Sequence, residues 1–206
     1  MINFQGFITE NQLWIGVISG WLITRIMETL RKPSINFNLS EDQEFTKGNK
    51  KYKFINLIIS NNKRSFIKKF LFGNIPINNA RVWLRFNDYS SNVEFLKIDA
   101  RWASTKEPVD YNTNQLIIPE IILPSRDTIP VGEEAAVSVA IKESGEDSFF
   151  PFNNQSYLHN WKHPDYELTD KKYLLEILLL ADGEEYKHKF LLTNPSKSLR
   201  NFKLLK

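Results

Sequence analysis

"KYLLEILLLADGEEYKHKFLLT", residues 172–193, sets two runs rich in apolar residues on either side of Asp182-Gly183. Asp-Gly between such runs is a strong hairpin signal, because a tight two-residue turn needs positive φ and these residues accept it at low cost. The stretch predicts two antiparallel strands, and with them a fold built on sheets.

The same period of two recurs in both directions from this hairpin. "NARVWLRF" (79–86) alternates strictly, with Ala80, Val82, Leu84 and Phe86 on one face and Arg81, Trp83 and Arg85 on the other. "SINFNLS" (34–40) places Ile35, Phe37 and Leu39 between polar neighbours. "KYKFINLIIS" (51–60) is rich in aromatic and β-branched residues, which suit strands. "VEFLKIDARW" (93–102) is a further strand candidate. So is "EAAVSVAIK" (134–142), which follows a turn marked by Pro130 and Gly132. "SFIKKFLF" (65–72) is ambiguous between a strand end and an amphipathic turn of helix. About seven strands separated by turn signals predict a mainly β protein, an immunoglobulin-like antiparallel β-sandwich. The Cys–Trp–Cys hallmark of antibody domains is absent, so this expectation concerns architecture alone.

One stretch breaks the pattern. "LWIGVISGWLITRIMETLRKP" (13–33) belongs to a run of 14 uncharged residues from Asn11 to Thr24. A span needs about 20 mostly apolar residues. Ile8 upstream and Ile26, Met27 and Leu30 downstream extend the run, and Arg25 can snorkel or pair with Glu28. Trp14 and Trp21 suit a membrane interface. Arg31 and Lys32 favour the helix C-terminus, and Pro33 ends it. The run does not read as a cleavable signal peptide: no Lys or Arg precedes it and no small-x-small site follows. It reads as a single transmembrane anchor over residues 11–32. The bases on its C-terminal side put the following domain in the cytoplasm. The alternative is a packed helix of a soluble protein. Gly16, Gly20 and Thr24 form a small-residue ridge that suits a second span, and hence a homo-oligomer.

Charge is unevenly distributed although the formal net charge is only +3. Phe45–Asn87 holds ten bases and no acid, whereas 131–189 holds twelve acids and six bases. If the helix is an anchor, the basic half faces an anionic inner leaflet. Nucleic acid is a weaker reading, and a solvated basic face is the plainest one. The tail "SKSLRNFKLLK" (196–206) mixes Leu and Phe with Lys and Arg and reads as a basic amphipathic tail. The chain therefore divides into an N-terminal segment (1–10), the anchor helix (11–32), the sandwich (33–195) and the tail (196–206).

"GVISGWLITRIMETLRKPSINF" (16–37), "ARWASTKEPV" (100–109) and "FPFNNQSYLHNW" (150–161) together resemble a loose class of uncharacterised prokaryotic proteins. In that class a short N-terminal membrane helix and a basic stop ending in Pro precede one β-sandwich. The resemblance implies a fold and an anchor, and no activity.

Catalytic signatures are missing. With no cysteine, disulfides, thiolate zinc sites and a Cys nucleophile are excluded. There is no G-x-S-x-G elbow and no phosphate-cradling glycine loop. His159 and His163 are four apart with Asp165 nearby, but Pro164 forbids a helix through them and no third ligand is evident. No metal and no cofactor are expected. Two stretches suit recognition instead. "SFFPFNNQSYLHNW" (148–161) carries five aromatics in one long connection. Phe150, Phe152, Tyr157, His159 and Trp161 are its candidate contact residues, with capping of the core as the alternative. Arg101 and Trp102 end a strand just before Glu107-Pro108, so they either join this surface or close one end of the sandwich. The function expected is binding: a membrane-anchored adaptor without catalysis, with a protein partner. A soluble subunit whose helix docks on a partner is the alternative.

Overall fold

The computed structural model describes the backbone of residues 4–206 and the side chains of residues 14 and 16–206. It is mainly β, with 45% strand and 21% helix. In chain order come α1 (Phe4–Arg31), β1 (Ile35–Leu39), β2 (Gln43–Lys47), β3 (Lys50–Asn61), α2 (Phe66–Phe72), β4 (Ile77–Asp88), β5 (Glu94–Asp99) and β6 (Arg101–Trp102). Then follow β7 (Val109–Asp110), β8 (Gln115–Leu116), α3 (Ile118–Ile122), β9 (Asp127–Ile129), β10 (Glu134–Glu143), β11 (Phe150–Pro151), β12 (Lys172–Ala181), β13 (Glu184–Thr193) and β14 (Lys203–Leu205).

The hairpin forms as its turn chemistry dictates. β12 and β13 pair from Lys172↔Thr193 to Ala181↔Glu184. Asp182 and Gly183 between them both take positive φ, 51° and 79°. This hairpin is the centre of one antiparallel sheet, ordered β14-β13-β12-β4-β5, with β9 paired to the start of β4. The second sheet runs β1-β3-β10-β11, with β2 also on β3 and β6 also on β10. The chain changes sheets at Ala100, between β5 and β6.

Alternation sets which side chains go inward. Ala80, Val82, Leu84 and Phe86 are buried, and Arg81, Trp83 and Arg85 stand on the other face of β4. They meet Leu57, Ile59, Val137 and Val139 of the other sheet in one continuous core with Leu175, Ile177, Leu179 and Trp102. Two antiparallel sheets sharing one core are consistent with a β-sandwich. Trp102 is almost wholly buried and donates from Nε1 to Ala80 O at 3.0 Å, so it belongs to the core and not to a surface.

Two segments differ from expectation. Residues 196–206 are not an amphipathic tail: β14 pairs with β13, and Leu199, Phe202 and Leu204 enter the core. Their Lys and Arg neighbours simply occupy the solvent side of the same strand and turn. At the other end, residues 1–3 of the expected N-terminal segment lie outside the described residues, and from Phe4 onward it is part of α1. No helix among the described residues is long and apolar enough to cross a membrane. Arg25, Glu28 and Arg31 occupy the final turns of α1, with Arg25 and Glu28 paired at 3.4 Å. The ambiguous "SFIKKFLF" is helical, as α2.

Candidate functional site

The first part of the long connection 152–171, through Trp161, folds over the outer face of the β3–β10 sheet, and Leu168 further on enters the main core. Asn153 starts its first 3-10 turn (Asn154–His159) with a capping box, its side chain accepting from the backbone N–H groups of Gln155 and Ser156. The turn ends at Asn160 and Trp161, both at positive φ, 50° and 77°. That conformation is costly for a bulky residue. It is held by the Trp161 N–H, which donates to Ser156 O at 2.7 Å. The strained turn aims the indole at the sheet. There it meets Tyr52, Phe54 and Phe45 edge-on, with centroids 5.4, 5.7 and 5.8 Å away. Lys47 sits 4.0 Å above the same ring and donates to Asn160 Oδ1 at 2.7 Å. Phe152 packs between Phe54 and Tyr157, at 5.2 and 5.6 Å.

Beside this second small core lies a cleft of about 490 Å³. Phe54, Asn56 and Ser138 come from the sheet face, Phe45, Gln43 and Glu44 from β2. Phe152, Tyr157 and Trp161 form one wall, and Arg101, Ala103 and Glu107 another. The two stretches singled out by sequence, 50 residues apart, thus share one cleft.

Arg101 is its unusual member. The residue is buried, and its guanidinium lies 5.7 Å from the Tyr157 ring. It donates to the carbonyl oxygens of Trp102 and Thr105. Among the described residues no carboxylate lies within ion-pair distance of it, and its Nε has no partner. Glu107 instead accepts from the Tyr111 hydroxyl at 2.7 Å. Burial pushes the Tyr157 phenol up to about 12. It therefore stays protonated at neutral pH and offers a hydroxyl donor, not a base.

Not all expected contact residues line the cleft. Phe150 is buried in the second core, and Trp102 in the main one. His159 is exposed and packs on His163 at 4.3 Å, outside the cleft lining. His163 stacks on Tyr166 at 4.2 Å, and its Nδ1 accepts from the Asp165 N–H. Burial, then the neighbouring His159, lowers its pKa. No group of three metal-ligating side chains exists among the described residues. The sequence reading overlooked Gln43, Glu44 and Phe45. Their signal was the Gly48-Asn49 pair, a two-residue hairpin turn that announces β2 beside β3.

A scan against protein-family models gives no match, and searches of curated proteins and of solved structures give none either.

Proposed function

We propose that this is a non-catalytic binding or adaptor protein, held at a membrane through α1, that takes an apolar segment of a protein partner into the aromatic cleft. The convergence of Phe45, Phe54, Phe152, Tyr157 and Trp161 on one concave surface carries this reading. Rigid aromatic rings give contact area at little entropic cost, and the Gln43, Asn56, Ser138 and Arg101 side chains supply polar specificity. The β domain is read as immunoglobulin-like. β1, β3 and β10 lie in one sheet, and β4, β12 and β13 lie in the other, the division of strands A, B and E from C, F and G, which supports that topology.

Membrane placement is supported by α1 itself. Trp14, Val17, Ile18, Trp21, Leu22, Ile23, Ile26 and Met27 are all exposed, and at ~100° per residue they fall on every side of the helix. Arg31 and Lys32 at its base favour a cytoplasmic β domain. A second reading is a soluble subunit whose α1 docks on a partner; among the described residues no helix is long and apolar enough to cross a membrane.

The cleft is tested in the intact chain with a photocrosslinking residue at Phe45, on its rim, and at Val93 as an exposed control. A discrete adduct at 45 but not at 93 is expected, and Gln43→Trp, which fills the cleft from its rim, should reduce it at least tenfold. Equal crosslinking at both positions refutes the cleft as the binding site.

A further inference from the structure

α2 lies at the foot of α1, and among the described residues nothing covers its outer face. Four of its apolar side chains are exposed: Phe66 (83%), Phe70 (80%), Ile67 (70%) and Leu71 (55%). At ~100° per residue these four fill a continuous arc of roughly 140°. Phe72, on the opposite side, is only part-exposed and faces the protein. Lys68 and Lys69 flank the apolar arc, one at each border. So the apolar side of this amphipathic helix points away from its own domain, the reverse of what core packing produces.

α2 is also fixed to α1. Arg64, immediately before the Ser65 N-cap, donates from Nη2 to Leu30 O at 3.4 Å, to Lys32 O at 2.7 Å and to Arg31 O. One guanidinium thereby takes up the last carbonyls of α1 and ties the two helices at one point. Arg31, Lys63, Lys68 and Lys69 lie around this junction. Among the described residues none of them makes an ion pair.

We propose that α2 is an in-plane membrane contact. Phe66, Ile67, Phe70 and Leu71 enter the acyl boundary of a bilayer, and Lys63, Lys68 and Lys69 meet anionic headgroups. This rests on the reading that α1 holds the chain at a membrane. Charge selects this occupant. An apolar arc bordered by lysines complements an anionic lipid surface. The segment from Phe45 to Asn87 contains no carboxylate to repel one. The contact would also orient the β domain, because two attachment points, α1 and α2, remove the freedom to swing about one.

The chain has no cysteine, so Phe70→Cys supplies a unique site for an environment-sensitive fluorophore. Val93→Cys, beyond the far end of β4, is the control. The intact protein is reconstituted with phosphatidylcholine vesicles containing 0 or about 30% phosphatidylglycerol, then floated. Flotation with a blue-shifted label at 70, quenched by nitroxide near the headgroups and unchanged at 93, is the expected result. The shift should be larger with the anionic lipid and weaken ~5-fold in apparent affinity per lysine neutralised in Lys68→Gln and Lys69→Gln. Flotation with position 70 still aqueous overturns the inference and leaves the α1 reading intact. Failure to float overturns both. A blue shift that needs no lipid and grows with protein concentration assigns the face to a second copy of the chain, and likewise overturns the lipid contact.

Discussion

Glu143 holds the aromatic connection onto the sheet. Its Oε1 pairs with Lys50 at 2.8 Å, and its Oε2 pairs with Lys162, which also reaches Glu146 at 2.6 Å. Burial alone would raise its carboxyl, but the hydrogen bonds from Lys162 and Lys50 outweigh that and hold it below the ordinary 4.5. A carboxylate depressed in the folded state stabilises it fully above its unfolded value. That contribution is lost as the pH falls below 4.5 and through the lower folded value. Glu143→Gln should therefore cost about 2 kcal/mol at pH 7 and flatten the acid limb of stability. Urea unfolding of both proteins at neutral and acid pH measures this, and an unchanged acid limb counts against the assignment. Residue identity showed that acids and bases were segregated along the chain. It did not show that Lys50 and Lys162 would neutralise one acid across 93 and 19 residues of sequence.

At the scale of elements, legibility follows how local the cause is. The β12–β13 hairpin was fully readable, since alternation and Asp182-Gly183 fix strands and turn without outside help. β4 was readable for the same reason. β14 was not. Leu199, Phe202 and Leu204 among lysines suit an amphipathic helix or a half-buried strand equally, and only the free edge of β13 decides for the strand. Phe202 is fully buried, 5.0 Å from Phe149 by ring centroids. Phe202→Ala should cost about 3–4 kcal/mol and lower the unfolding midpoint of the whole domain, in one cooperative step. A loss below about 1 kcal/mol by urea titration would show that residues 196–206 are dispensable. α2 is ambiguous in sequence because seven residues carry too little periodicity to separate strand from helix.

At the scale of the whole molecule, the two proposed contacts fall at different places along β3. β3 has 12 residues, roughly 40 Å at ~3.3 Å each. Its last residues lead to α2 and the foot of α1. Phe54 and Asn56, in the middle of β3, bound the cleft together with β2 and Trp161. The basic half of the sequence is accordingly split. Lys63, Arg64, Lys68 and Lys69 gather at the α1 end. At the other end Lys47 covers Trp161, Lys50 pairs with Glu143 and the buried Lys53 pairs with Asp42 at 2.6 Å. So the ten bases do not form one face. α1 meets the β domain through few bonds, chiefly the Arg64 ties and the Lys32–Glu184 pair at 2.8 Å. The 33–206 fragment should therefore unfold within about 2 °C of the intact chain in the same detergent, since exposed ion pairs contribute only ~1 kcal/mol or less. A drop of 10 °C or more by circular dichroism would mean that α1 is part of the core assembly. The sequence by itself determined the long strands β3, β4, β10, β12 and β13, the tight hairpin and the end of the first helix, because pleat period, turn dihedrals and proline act within a few residues. Only the tertiary structure decided that Trp102 and Phe150 are core while Trp161 and Arg101 line a cleft, and that the tail is a strand. Burial belongs to whichever neighbour the fold brings alongside, and those neighbours come from far along the chain.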